Sequence, residues 1–199
     1  LTADVDNLLS CVTDRTRMVF LAYPNNPTGS YVPVDALRRL HAGLPSETLL
    51  VIDAAYAEYV SRNDYISGTE LVETYENVVM TRTYSKAFGL AALRLGWAYC
   101  PPVIANVLNR VRNPFNVTAA AQVAGVAAVG DLSHTDAVVA HNDEWLPWFT
   151  DELKGLGLEV PPSVGNFVLV RFGTAERAQS AYDYLMKRGV ITRMMGGYG

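Results

Sequence analysis

Three short apolar runs, each of which ends at polar or turn-forming residues, constrain the fold of this chain most strongly. They cover residues 18–23, 48–52 and 77–83, and runs of this length and composition are typical of buried strands. Residues 34–44 and 69–75 lie between them and show the apolar spacing of amphipathic helices. Alternating strands and helices are typical of a mostly parallel sheet that helices cover on both faces. The predicted fold class is therefore α/β.

Helices dominate the remaining part of the chain. The helical patterns span residues 103–111, 118–129, 133–156 and 174–188. Strand-like runs span residues 93–100, 166–171 and 190–193. Pro147 interrupts the longest helical pattern and predicts a kink or a break there. The change from strand-rich to helix-rich sequence near residue 130 predicts a boundary between two domains.

Composition narrows the classes of partner and compartment. A net charge of −4 and a pI near 5.3 argue against nucleic acid or an anionic membrane as a partner, because both require clustered positive charge. The sequence has no secretory signal and no apolar run of about 18 residues that would span a membrane. Two cysteines, Cys11 and Cys100, predict a protein of the reducing cytoplasm. The three histidines are scattered without metal-ligand spacing, so no metal site is predicted.

Polar side chains follow the first three predicted strands. Asn25 and Asn26 follow the first strand, and Asp53 ends the second, with Tyr56 three residues further on. The third strand continues into residues 83–86, which are Thr-Tyr-Ser-Lys. Ligands of open α/β sheets bind at the carboxyl ends of the strands, and parallel strands lie roughly 4.8 Å apart. The sequence therefore predicts that these side chains meet at one edge of the sheet.

The chemistry of this set of residues suits pyridoxal phosphate. A partly desolvated lysine can lose its proton, and its amine then attacks a carbonyl carbon. An aspartate can hold a ring nitrogen protonated, amide and phenol groups can bind a phenolate oxygen, and Ser, Thr and Arg can bind a phosphate. Of the three lysines, only Lys86 directly follows a predicted buried strand; the others are Lys154 and Lys187.

Each of these residues also has an ordinary structural interpretation. Asp53 could cap a turn, Asn26 before a proline is common turn chemistry, and Lys86 alone would be a solvated surface residue. Arg94 could be an ion-pair partner and Tyr56 a packing residue. The functional prediction therefore depends on the whole set.

Three segments of the chain resemble the pyridoxal-phosphate-dependent aminotransferases of fold type I, class I/II. They are residues 25–29 (NNPTG), 53–56 (DAAY) and 83–96 (TYSKAFGLAALRLG), in the order and at the spacing of that family. The resemblance implies that residues 1–130 form part of the large, mostly parallel sheet domain. It implies that residues 131–199 form part of the smaller C-terminal α/β domain. It also implies a homodimer.

The resemblance implies a role for each matched residue. Lys86 would be the Schiff-base lysine and proton shuttle, and Asp53 the partner of the pyridinium nitrogen. Asn26 and Tyr56 would bind the phenolic oxygen of the cofactor. The implied ligands of its phosphate are Thr83, Ser85 and Arg94.

Two further segments, residues 111–117 and 190–199, resemble the histidinol-phosphate aminotransferase branch of the family. In that branch the arginine that matches Arg193 helps to hold the substrate phosphate, although Arg193 could instead simply end an edge strand. The branch implies amino-group transfer from L-histidinol phosphate to 2-oxoglutarate, which gives imidazole acetol phosphate and glutamate. The substrates would thus be a small amino donor and a 2-oxo acid.

Other functions remain open at this point. An aromatic aminotransferase or a threonine-phosphate decarboxylase would use the same scaffold, and a module that keeps the fold without turnover is a third alternative. A dinucleotide-binding domain is disfavoured because no GxGxxG motif follows a predicted strand.

The resemblance covers the 199 residues but only the middle and later parts of the family pattern. The sequence contains neither the upstream glycine-rich segment and ring-stacking aromatic nor the C-terminal arginine that binds the substrate carboxylate. We therefore expect the chain to be a fragment that, alone, binds the cofactor weakly and turns over poorly. We also expect unpaired sheet edges and exposed apolar surface.

Overall fold

The sheet contains four strands that lie side by side in chain order. In the computed structural model, which describes residues 1–196, β1 (Met18–Ala22), β2 (Leu49–Asp53) and β3 (Val78–Thr83) are parallel. The fourth strand, β4 (Gly96–Tyr99), is antiparallel to β3. The α/β class and the mostly parallel sheet are confirmed. The first three strands agree with their predicted bounds to within one residue, because short apolar runs between turn residues have little freedom of placement.

Seven helices occupy the part of the chain that the structure describes. They are α1 (Val5–Ser10), α2 (Val34–Ala42), α3 (Thr69–Thr74), α4 (Pro102–Val111), α5 (Ala119–Gly130), α6 (Leu132–Gly155) and α7 (Ala175–Met186). The pattern did not predict α1, a six-residue helix whose first amides bond to the side chain of Asp4. Of the helices in residues 1–196, none is both long enough and apolar enough to cross a membrane.

One face of the sheet carries the main core. Alternate residues of β2 and β3 point to this face, and they pack against Leu37 and Leu40 of α2 and Leu71 of α3. The other face is not covered along β1, where the Phe20 side chain is 70% exposed. The expectation of helices on both faces is therefore wrong for β1. The reason is that no helix of the described residues packs over Phe20.

Two strand predictions in the second half of the chain are wrong. Residues 166–171 form only an isolated bridge between Arg171 and Glu159, and residues 190–193 form no strand. An apolar run becomes a strand only when a neighbour supplies hydrogen bonds along its length. Within residues 1–196, no strand lies beside either segment.

Pro147, where the sequence predicts a kink or a break, does not break α6, because the helix continues through that residue. A proline removes a single backbone donor, and a long helix can keep its bonds on either side. The α6 helix begins at Leu132, close to the predicted domain boundary near residue 130, which stays a prediction.

Candidate active site

The carboxyl ends of the three parallel strands meet at one edge of the sheet. Asp53 lies between Ala22 of β1 and Thr81 of β3 in the register of the strands. The carbonyl oxygen of Asp53 accepts a bond of 2.8 Å from the Tyr23 amide, and the Ala54 amide donates to Thr81 at 2.9 Å. These bonds hold Asp53 where the ladder ends. Its side chain is exposed, and Oδ1 accepts a bond of 3.2 Å from the Ala55 amide.

The loop after β1 presents Asn26 to Tyr56. The Asn26 side-chain amide donates to the Tyr56 hydroxyl at 2.8 Å, across 30 residues of sequence. The loop is held by its own polar groups, since the Thr28 hydroxyl donates to the Asn25 side chain at 2.9 Å. The Gly29 amide donates a hydrogen bond of 2.8 Å to the Asn25 carbonyl oxygen, and this bond closes the turn. Gly29 has φ of +72°, a backbone conformation that favours glycine.

Lys86 lies beside Tyr56. Its Nζ is 5.0 Å from the centre of the Tyr56 ring, in the range of a cation–π contact. The Tyr56 ring is only 5% exposed and belongs to a small second core with Tyr59 and Ala87. Ala87 is fully buried, so the residue after Lys86 anchors the loop while the lysine itself is half-buried.

The three predicted phosphate ligands lie together at the end of β3 and in the loop that follows it. The Ser85 amide donates to the Thr83 hydroxyl at 3.1 Å, and Arg94 Nη1 approaches the Ser85 hydroxyl at 3.5 Å. The same nitrogen donates to the Ala91 carbonyl oxygen at 2.7 Å. The arginine backbone is left-handed, with φ of +52°, which turns the chain back toward β3. Two hydroxyls and an exposed guanidinium thus share one surface, a donor set that suits a phosphate.

Arg193 does not join this group. It is exposed, and no hydrogen bond or ion pair within residues 1–196 links it to the other predicted site residues. The last three residues of the tail segment 190–199 lie outside the described residues. A role for Arg193 stays a prediction.

Residues 163–167 line the site, and the sequence reasoning missed them. Phe167 packs edge-on against Tyr56, with ring centres 5.1 Å apart and planes at 70°. The Asn166 side-chain amide lies 3.4 Å from the Tyr59 hydroxyl. The Val164 amide donates to the Gly29 carbonyl oxygen at 2.8 Å. Only the tertiary structure brings this segment to the loop of Asn26. The sequence pattern predicts residues 166 and 167 as the start of the strand 166–171 and predicts no element for residues 163–165.

Burial controls the ionisation of the tyrosines behind the site. Burial raises the pKa of Tyr59 above its ordinary value, and the negative charge of the Glu58 carboxylate raises it further, by a smaller amount. Burial likewise raises the pKa of Tyr65, whose hydroxyl donates to the Tyr23 carbonyl oxygen at 3.0 Å. Both phenols are therefore neutral at physiological pH; the Tyr65 hydroxyl donates its bond, whereas the Tyr59 hydroxyl accepts from the Asn166 side-chain amide.

Known proteins resemble the chain over almost its whole length. A family model described as aminotransferase class I and II matches residues 1–198. Histidinol-phosphate aminotransferases of Rhodospirillum centenum and Paramagnetospirillum magneticum are 60% and 58% identical to it; each match covers 100% of this chain and 55% of the relative. The crystal structure of histidinol-phosphate aminotransferase from Sinorhizobium meliloti in complex with pyridoxal-5'-phosphate superposes with a TM-score of 0.92. That match has 33% identity and covers 98% of this chain and 54% of that one. The chain thus spans a little over half the length of these relatives.

Proposed function

Because this chain belongs to the class I and II aminotransferase family, we propose that it carries the cofactor-binding part of a pyridoxal-phosphate-dependent transaminase. The proposed reaction transfers the amino group of L-histidinol phosphate to 2-oxoglutarate. The observation that carries the proposal is that Lys86 and Asn26 both contact Tyr56, which lies three residues after Asp53, the last residue of β2. The 60% identity to a histidinol-phosphate aminotransferase supports this branch of the family.

The side chains at the sheet edge fit pyridoxal phosphate by their chemistry. Asn26 is the donor in its bond to Tyr56, so the Tyr56 hydroxyl hydrogen remains free to bind a ligand oxygen. The exposed Asp53 carboxylate suits a protonated ring nitrogen, and the group of Thr83, Ser85 and Arg94 suits a phosphate. Each functional group of the cofactor therefore has a partner of complementary charge or hydrogen-bonding type.

Bound pyridoxal phosphate supplies an aldehyde that takes up an amine and a ring that accepts the electron pair left when a proton leaves the substrate. With the cofactor present, Lys86 would supply the amine that holds it and would then move the substrate proton as general base and acid. The Asp53 carboxylate would stabilise the positive charge of the protonated ring nitrogen. Asn26 orients Tyr56 through their hydrogen bond, and the Tyr56 hydroxyl would in turn hold an oxygen of the cofactor ring.

A panel of amino donors tests the proposed substrate. With 2-oxoglutarate as acceptor, we expect kcat/KM for L-histidinol phosphate to exceed that for phosphate-free L-histidinol by about 10- to 100-fold, because charge-assisted bonds to phosphate are worth about 1.5–3 kcal/mol. Arg193→Ala should reduce this preference, while the exposed Arg177→Ala serves as the control. A higher kcat/KM for an aromatic amino acid, or release of CO2 from threonine phosphate, would contradict the proposed substrate. In a longer form of the protein that includes the upstream glycine-rich segment and the C-terminal arginine, cofactor binding without turnover of any donor would favour a non-catalytic module.

We propose further that residues 1–130 and 131–199 belong to the large and small domains, and that the protein works as a homodimer in the cytoplasm. The free thiols of Cys11 and Cys100 support a reducing compartment. An exposed apolar stripe on α4, formed by Val103, Val107 and Val111, supports association.

Sedimentation velocity tests the proposed dimer. We expect twice the mass of one chain, and we expect Val107→Glu to shift the protein toward monomer by placing a charge in the apolar stripe. Asn106→Glu adds the same charge to an exposed polar position of the same helix and should leave the mass unchanged. A monomer at all concentrations would count against the homodimer.

A further inference from the structure

A largely buried ion pair lies near the candidate site in sequence and joins the segments on either side of it. Arg82 Nη2 is 2.5 Å from Glu58 Oε1, and the side chains are only 17% and 8% exposed. Arg82 belongs to β3, and Glu58 belongs to the short turn Ala57–Tyr59. The other ion pairs of the described residues join side chains that are each at least 45% exposed. Surface pairs of that kind contribute little, whereas a buried pair is costly to break.

Two atoms of this pair have no partner. Glu58 Oε2 and Arg82 Nε are buried and make no hydrogen bond in the part of the chain that the structure describes. They are the atoms that a second, parallel bond would join in a forked arginine–carboxylate pair. Because each group would be left as an isolated buried charge without the other, the two side chains depend on each other.

Trp97, on the neighbouring strand β4, also contacts Arg82. It lies opposite Trp97 in the antiparallel register of β3 and β4, and its Cζ is 5.7 Å from the centre of the Trp97 ring. The guanidinium therefore contacts a carboxylate and also an aromatic ring on the adjacent strand. These contacts restrict the guanidinium more than a single ion pair would.

The pair joins the two segments that carry Tyr56 and Lys86. The ladder between β2 and β3 ends at Asp53 and Thr81, so backbone pairing does not reach either functional residue. Glu58 follows Tyr56 by two residues, and Arg82 precedes Lys86 by four. We propose that Glu58 and Arg82 are positioning residues: their ion pair sets the distance between the Tyr56 ring and the Lys86 amine. The catalytic consequence of this inference rests on the proposed role of Lys86.

Variants of the pair separate positioning from stability. Glu58→Leu and Arg82→Met each leave one buried charge unpaired, and we expect both to lower the urea midpoint of unfolding. The double variant removes both charges, so its midpoint should recover toward that of the wild type. Glu58→Gln keeps the shape and one acceptor, and provides a conservative variant should the double variant fail to fold.

The reactivity of Lys86 without cofactor provides the first measurement. The chain has three lysines, so acetylation rates of Lys86, Lys154 and Lys187 can be read together by mass spectrometry. Loss of the contact with the Tyr56 ring frees the Lys86 amine, and we expect its acetylation to accelerate by about 2- to 5-fold in the double variant. Glu58→Gln should give a smaller increase. The exposed Lys154 and Lys187 are internal controls whose rates should not change.

The cofactor-loaded protein provides the second measurement. We expect the pH midpoint of its visible absorbance to move in the double variant although the urea midpoint recovers. Wild-type acetylation of Lys86 in a folded double variant, or in Glu58→Gln if only that variant folds, would overturn the positioning role. Failure of a wild type that includes the upstream glycine-rich segment and the C-terminal arginine to bind pyridoxal phosphate would instead overturn the proposed function, since the acetylation rates do not depend on the cofactor.

Discussion

Replacement of Lys86 by alanine is expected to abolish covalent attachment of pyridoxal phosphate and to slow transamination by at least about 10²–10⁴-fold. That range is the usual contribution of a positioned general acid–base group. The loss of covalent attachment adds to it, since the methyl group of alanine cannot react with the cofactor aldehyde. The measurement is borohydride reduction of the cofactor-loaded protein, followed by peptide mass spectrometry and by steady-state rates with L-histidinol phosphate.

The other two lysines provide matched controls for this experiment. Lys154 and Lys187 are exposed and lie at the ends of α6 and α7. Alanine at either position should leave both the modified peptide and the rate as in the wild type. Reduction that labels Lys154 or Lys187 instead, or a Lys86→Ala variant that keeps the wild-type rate, would contradict the assignment of Lys86.

Gly29→Ala is expected to destabilise the protein by about 2–5 kcal/mol. Part of this cost arises because φ at Gly29 is +72°, where an L-residue is disfavoured by about 1–2 kcal/mol. A further 1–3 kcal/mol, roughly, comes from overpacking, since a Cβ at this position would lie 2.1 Å from Ser163 Oγ. Urea denaturation measures the loss. We also expect weaker cofactor binding, because a shift of this loop moves Asn26 away from Tyr56.

The variant Gly157→Ala serves as a control that separates the backbone cost from the overpacking cost. Its φ is +76°, but no atom lies within 4 Å of a Cβ built there, so Gly157→Ala should lose only the backbone part, about 1–2 kcal/mol. Ser163→Gly combined with Gly29→Ala removes the nearest clashing atoms and should recover part of the stability. If Gly29→Ala and Gly157→Ala lose equal stability, the contact between Gly29 and Ser163 is not the cause.

The local pattern predicted the strands and helices that carry the site. The runs that became β1, β2 and β3 are short, apolar and bounded by turn residues, so their bounds were predicted to within one residue. Residues 166–171 show the same kind of apolar run but form no strand, because a strand also needs a hydrogen-bonding neighbour, which no local pattern reveals. The α1 helix is too short to show a clear period in the sequence.

Residue types and their order along the chain determined which side chains end the parallel strands, namely Asn26, Asp53 and the segment that contains Lys86. Only the tertiary structure determined what these side chains contact. The bond from Asn26 to Tyr56, the pair of Glu58 with Arg82, and the approach of Asn166 to Tyr59 span 30, 24 and 107 residues of sequence. Periodicity reports which face of an element is buried, whereas contacts between loops depend on how separate elements pack.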